Sequence, residues 1–218
     1  MRINRYVASA SGIGRRAADK LITEGRVKVD GQLASTAQDV QPNQQVTLDG
    51  KLLELPKLAM TIMLNKPTGY VVSREGQGAP TIYSLLPDNY HKLKPIGRLD
   101  KDSSGLLLMS NDGQLINSLA HPSFNKEKVY EVTLDKVLSE SDKLQIKHGV
   151  KLDDGLSRLS VLSLEGKKLV LSMEEGRNRQ IRRTFSALGY SVTKLNRIAF
   201  GEYHLGNLTP GNYREVKA

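Results

Sequence analysis

The chain has 218 residues, enough for one medium domain or for a small module joined to a larger one. Its 32 Lys and Arg outnumber its 23 Asp and Glu, and the resulting net charge of +9 favours a polyanionic partner, most simply nucleic acid. The absence of cysteine excludes disulfides, zinc ribbons and thiol chemistry, and the scattered histidines (His91, His121, His148, His204) have no metal-site spacing, so neither metal nor cofactor is expected. No stretch reaches the roughly 18 to 20 apolar residues of a membrane span, and the first residues lead into no signal-peptide core. The expected location is cytoplasmic, away from any membrane.

In chain order, Ile3, Tyr6, Val7 and Ala10 recur at helical spacing. Ala17, Ala18, Leu21 and Ile22 form a second apolar stripe that Gly25 should stop. Arg15, Arg16 and Lys20 fall outside that stripe, which predicts a basic face on the second helix. Residues 27–33 read as strand, Asp30-Gly31 turn and strand, and residues 45–52 repeat the pattern around Asp49-Gly50. Gly12-x-Gly14-x-x-Ala17 has the glycine spacing of a dinucleotide-binding loop. It follows a helix where that motif requires a strand, and is dismissed.

Two helices and a hairpin built around Gly25-Arg26-Val27-x-Val29-Asp30-Gly31 resemble the RNA-binding domain first described in ribosomal protein S-four, over about residues 1 to 48. The resemblance implies that Arg2, Arg5, Arg15, Arg16 and Arg26 meet RNA phosphates, with an affinity that falls steeply with salt. Residues 1–53 are taken as this domain, and residues 54–60 (Glu-Leu-Pro-Lys-Leu-Ala-Met) as a linker.

Residues 61–218 form the second expected domain. Residues 61–64 read as a strand that enters a turn, Asn65-Lys66-Pro67-Thr68-Gly69, and returns at 70–72. Gly97-Arg98-Leu99-Asp100 is a tight loop by composition. It leads into an apolar strand at 106–109, whose burial would hold Arg98 and Asp100 rigidly at its edge. Residues 129–134 alternate as a half-buried strand, and 159–164 with 169–173 suggest an antiparallel pair. Residues 139–148 and 179–188 are the clearest helices; in the latter Ile181, Phe185 and Leu188 face the core and Gly189 ends it. Arg179, Arg182 and Arg183 fall at i, i+3 and i+4 and so share a helical face. An all-basic face without a compensating acid costs stability, so an anion is its expected partner, either RNA phosphate or Asp100. Hairpin-linked strands interrupted by helices give an α+β fold: a small two-helix-plus-hairpin domain, then a mixed, mainly antiparallel sheet domain.

Gly97-Arg98-Leu99-Asp100, followed by Ser104-Gly105-Leu106, closely resembles the signature loop of the pseudouridine synthases, in the wording of the Rsu type that modifies bacterial ribosomal RNA. Three more segments match the family in order: Asn65-Lys66-Pro67-x-Gly69, Lys128-Val129-Tyr130, and Glu175-Gly176-Arg177-Asn178-Arg179-Gln180-Ile181-Arg182-Arg183. The last leans toward the large-subunit members. The resemblance implies an isomerase, monomeric, that converts a specific uridine of 23S or 16S ribosomal RNA to pseudouridine. Making pseudouridine breaks the bond from ribose to N1 of uracil, turns the base and rejoins it through C5, so no energy input, redox partner or metal is implied. By the same resemblance Asp100 is the catalytic carboxylate, taken here as nucleophile, although attack on sugar, attack on base and proton removal all remain open. Arg182 pairs with Asp100 and keeps it ionised and oriented. Arg98 fills the place of the flipped base, which leaves its stack at a cost of about a few kcal/mol. Tyr130 stacks on that base, worth roughly 1 to 3 kcal/mol, with Ile181 packed against the tyrosine. Lys66, Arg179 and Arg183 are expected to contact the RNA. The rival is a non-catalytic ribosome-assembly factor with the same two domains. Asp100 and Tyr130 count against it, since a pure binder has no need of an aspartate beside a phosphate path.

Overall fold

In the computed structural model, which describes residues 1–55, 59–120 and 126–217, the first fifty-odd residues close on a core of their own. Helices α1 (Ile3–Ser11) and α2 (Arg15–Thr23) bury Ile3, Val7, Ala8, Ala18 and Ile22. Strands β1 (Val27–Val29) and β2 (Gln32–Leu33) form a hairpin over Asp30-Gly31, both at positive φ, and β3 (Val46–Leu48) and β4 (Lys51–Leu52) repeat it over Asp49-Gly50. The four strands, in the order β2-β1-β3-β4, add Val27, Val29 and Val46 to the helices' core.

The remaining residues build on a nine-stranded sheet. In chain order come β5 (Thr61–Lys66), β6 (Lys94–Pro95), β7 (Ser104–Ser110), α3 (Gly113–Ala120), β8 (Lys128–Leu134) and α4 (Glu140–His148). There follow a separate hairpin of β9 (Val150–Leu152) and β10 (Gly155–Ser157), then β11 (Ser160–Glu165), β12 (Lys168–Met173), α5 (Gln180–Ala187), β13 (Val192–Phe200), β14 (Tyr203–His204) and β15 (Tyr213–Glu215). The main path runs β11-β12-β8-β13-β7-β5-β15. Every pair along it is antiparallel except β13 with β7, which makes the fold α+β with a mixed, mainly antiparallel sheet.

The apolar run of β7 follows from burial on both faces of the sheet: Leu107 and Met109 belong to one core cluster, Leu106 and Leu108 to another. One expected pairing is not formed. Residues 70–72 do not return as a strand against 61–64, because Asn65 and Lys66 continue β5 and its two edges are taken by β7 and β15. Val71 makes only an isolated bridge to Thr81. The central strand β13 is absent from the sequence-based expectation because bulges between Val192 and Lys194 and between Arg197 and Ala199 break its alternation. Of the expected linker, residues 56–58 lie outside the described residues.

Candidate active site

The loop that carries Arg98 and Asp100 enters β7 and is fixed from the end of β5. The Lys66 ammonium donates to the carbonyl oxygens of Pro67 (3.0 Å), Asp100 (3.0 Å) and Ser103 (2.7 Å), which uses all three of its protons. The Gly69 N–H donates to the Lys101 carbonyl at 2.7 Å, and Ser103 N–H to that of Asp100 at 3.1 Å. Lys66 has no accessible surface. Burial pushes its pKa down to about 8, against the opposing pull of Asp100 and Asp102. The expected RNA contact by Lys66 is therefore corrected: a fully enclosed ammonium cannot meet a phosphate, and this one clamps the loop.

Gly105, at φ +105°, is required by a close approach. A Cβ there would lie 2.3 Å from the carbonyl oxygen of Arg197 and 2.5 Å from its nitrogen, across the parallel contact of β7 with β13. This places the loop's exit against the centre of the sheet.

The Asp100 side chain is 34 % exposed and lines a cavity of about 530 Å³ together with Arg98, Tyr130, Arg179, Ile181 and Arg197. Tyr130, on β8, is buried in the main core and has Leu171 of β12 and Arg197 of β13 as its cross-strand neighbours. It is thus both a core residue and part of the cavity wall. Ile181, at the start of α5, is likewise buried. Arg98 is exposed and has no carboxylate within 4.0 Å among the described residues.

The expected pair of Arg182 with Asp100 is not formed. Arg182 donates to the carbonyls of Val192 (2.8 Å) and Asp102 (2.9 Å), and its Nε lies 3.3 Å from an Asp102 carboxylate oxygen, close enough for charge attraction but off-line for a hydrogen bond. The cation beside Asp100 is Arg179, at 3.7 Å. Arg179 also grips Asp102 with two parallel bonds of 2.9 Å. These bonds hold the Asp102 carboxyl below its ordinary value against the opposing effect of burial, with the charges of Arg182 and Arg179 adding to the effect; they raise Arg179 in turn. The physical reason for the exchange lies in the backbone. Arg179 precedes α5 at φ +47°, a left-handed conformation that costs a non-glycine residue about 1 to 3 kcal/mol, so it does not share the helical face of Arg182 and Arg183.

The acids missing from that face come from elsewhere in the chain. Arg183 makes two bonds to Asp154, of 3.0 and 2.6 Å, and Arg177 bonds the same carboxylate at 2.9 Å, which ties α5 to the turn between β9 and β10. Arg183 is raised and Asp154 lowered chiefly by their mutual hydrogen bonds. The charge of Arg183 is thus matched within the fold in the absence of RNA. The same holds for two arginines of the N-terminal unit. Arg26 is paired with Asp49 through bonds of 2.9 and 2.5 Å, because the register of β1 and β3 sets the two residues opposite each other. Arg2 bonds the Ala37 carbonyl and lies 3.9 Å from Asp39. Arg5, Arg15 and Arg16 are exposed and carry no such partner among the described residues.

Two site residues escape a reading of the sequence. Asp102 is not among the residues that carry the loop motif, and only its spacing of two from Asp100 could have drawn notice. Arg197 sits on the unanticipated β13, 2 % exposed, with Nε bonded to the Leu106 carbonyl at 2.8 Å, its guanidinium 5.0 Å from the Phe200 ring centre, and one terminal nitrogen buried without a partner. Among the described residues no three His, Asp or Glu side chains form a metal-binding group, and no helix is long and apolar enough to cross a membrane.

Comparison with known proteins gives a consistent result. Residues 60–187 match the family model for RNA pseudouridylate synthase, and residues 1–51 match that for the S4 domain. An uncharacterized RNA pseudouridine synthase of Aquifex aeolicus is 36 % identical over 99 % of this chain and 90 % of its own. The ribosomal large subunit pseudouridine synthase B of Bacillus subtilis is 33 % identical (99 % and 91 % covered), and the ribosomal small subunit pseudouridine synthase A of Yersinia pestis 36 % (99 % and 94 %). A crystal structure of a pseudouridylate synthase superposes with a TM-score of 0.73 at 30 % identity, covering 100 % of this chain and 96 % of that one.

Proposed function

Since the chain belongs to the Rsu-type RNA pseudouridine synthases, with an N-terminal S4 RNA-binding domain, we propose that it isomerises a specific uridine of ribosomal RNA and that Asp100 is the catalytic carboxylate. The observation that carries this assignment is the setting of Asp100, on a loop clamped by Lys66 and at the wall of a cavity shared with Tyr130 and Arg179. Relatives named for the large and the small ribosomal subunit stand at similar identity, which supports ribosomal RNA as the substrate without favouring 23S over 16S.

The reaction is a rearrangement within one nucleotide. The bond from C1′ of ribose to N1 breaks, a bond from C1′ to C5 forms, a proton leaves C5, and N1 carries a proton in the product. Asp100 acts as the nucleophile, with the Arg179 guanidinium 3.7 Å away to orient it. Tyr130 stacks on the base after it leaves the RNA stack, with Ile181 against it, and Arg98 occupies the vacated place. Arg182 acts at one remove, by holding Asp102 and with it Arg179.

Asp100→Asn keeps the shape of the side chain and removes its charge. On ribosomal RNA from cells lacking this gene, with pseudouridine mapped by chemical labelling, the wild-type protein should restore one missing modification and the variant none. RNA affinity should stay within about tenfold, or roughly 1.4 kcal/mol. Pseudouridine formed by the variant would move the catalytic role to another group.

A further inference from the structure

Five cations gather where the N-terminal unit meets the larger one: Arg5, Arg15, Arg74, Lys92 and Lys94. Arg74 donates to the carbonyl of Gly12 at 3.0 Å and to that of His91 at 2.9 Å, while Lys94 donates to the carbonyl of Ala8 at 3.1 Å. Ala8 and Gly12 lie at the C-terminal end of α1, which has no basic residue of its own in its last turn. Two cations from the other unit supply that charge. Lys92 packs on Gly12, and Arg5 reaches the start of α3 at Gly113.

Capping of a helix end accounts for Arg74 and Lys94 one at a time, but not for the accumulation. Arg15 opens α2 only three residues after Gly12, beside these groups; burial first, then the charges of Arg74 and Arg15, hold Lys94 below its ordinary value. Among the described residues none of the five has an Asp or Glu within 4.0 Å. This sets them apart from Arg2, Arg26, Arg177, Arg179 and Arg183, whose acids are all in the fold. Donors remain over as well: a guanidinium has five N–H groups and an ammonium three, more than the carbonyls named here accept.

We propose that this seam is a phosphate-binding site for the RNA substrate, with Arg15 from the N-terminal unit and Arg74 and Lys94 from the larger unit at its centre. Its position relative to the cavity favours the sugar–phosphate backbone as the occupant. Lys94 lies on β6, and six residues of chain, at most about 22 Å, separate it from Asp100. An RNA strand seated at the seam therefore reaches Arg98 and Asp100 within a few nucleotides. The phosphates lie across both units, so bound RNA adds to the hydrogen bonds that already join them. The proposal rests on the RNA-modifying function argued above.

The test uses the full-length protein and unmodified transcripts of 16S and 23S ribosomal RNA, with affinity measured at several salt concentrations. Arg15→Gln removes a charge that makes no hydrogen bond among the described residues, so its melting temperature should match that of the wild type. Its slope of log affinity against log salt should flatten by about 0.7 to 0.9, and adding Lys94→Gln should flatten it by a similar step. Wild-type slopes in both variants would overturn the proposal. Lys94→Gln with a lowered melting temperature and an unchanged slope would also overturn it, leaving these cations as caps of α1 alone. Failure of the wild-type protein to bind either transcript would overturn the RNA-modifying function, and this site with it.

Discussion

Lys66 donates from an ammonium wholly out of water to the main-chain oxygen of Asp100, at 3.0 Å. The contact holds the backbone of the loop and leaves the Asp100 carboxylate at the cavity wall, beside Arg179.

Lys66→Met strands three carbonyl acceptors and should destabilise the protein by about 3 kcal/mol. Turnover should fall while RNA affinity stays within about threefold; a selective loss of affinity would restore Lys66 as an RNA contact. Titration gives a second check. The Lys66 pKa stands at about 8 in the folded chain against 10.5 for the free group, so between these values the unfolded state holds the extra proton. The contribution of Lys66 to stability therefore rises with pH across that window. Urea unfolding of wild type and Lys66→Met should show the gap between them widening from pH 8 to 10.5.

Arg179 and Arg182 should separate by what their loss affects. The Arg182 side chain is only 13 % exposed and ties α5 to Val192 and Asp102, whereas that of Arg179 is 43 % exposed and stands beside Asp100. Arg182→Gln should lower the melting temperature more, and Arg179→Gln should lower turnover more per degree lost. The reverse order would show that Arg182 moves onto Asp100 when RNA binds.

Asp102→Asn tests the same network by acidification. Asp102 is held below its ordinary 3.8 in the folded chain, so its stabilising effect is present above that value and is lost as pH falls through the folded pKa. Wild type should be the more stable protein at pH 5, and the two should converge as pH drops below 3.8. A constant gap would mean that shape, and not charge, is what Asp102 supplies.

Arg98→Ala should slow the reaction on structured ribosomal RNA more than on a short single strand, where less stacking must be broken. Equal losses on both substrates would assign Arg98 another task.

A chain shortened to begin at Ala59 should fold, keep its cavity and bind RNA more weakly. Its salt dependence should be flatter than that of the full protein by about 0.7 to 0.9 for each phosphate that the missing arginines would have met. An unchanged slope in a folded truncated protein would remove the N-terminal unit from RNA binding.

The parts of the fold legible in the sequence are those governed by local chemistry. Asp30-Gly31 and Asp49-Gly50 announce their hairpins because few residues tolerate positive φ, and the stripe of Ile181 and Phe185 gives α5 its buried face. The loop Gly97 to Asp100 was legible by wording alone. The partners of charged groups were not. Arg26 finds Asp49, Arg183 finds Asp154 and Arg182 finds Asp102 across separations of 23, 29 and 80 residues. Helical periodicity cannot see an acid delivered by another element. Nor could it see that Arg179 stands outside its helix, since arginine as a residue type does not signal the left-handed turn it adopts there.

The pairing of Gly105 with Arg197 also dictates an order of assembly. The RNA-binding unit closes through contacts within residues 1–53, all local in sequence. The strand behind the Asp100 loop must wait for residues 192–200 to lie against it, and β5, which bears Lys66, gains its outer neighbour only at residues 213–215. Loop closure over such separations is slow compared with local folding. On a chain emerging from synthesis the N-terminal unit can thus close while the strands that carry Lys66 and lead from Asp100 still lack their neighbours.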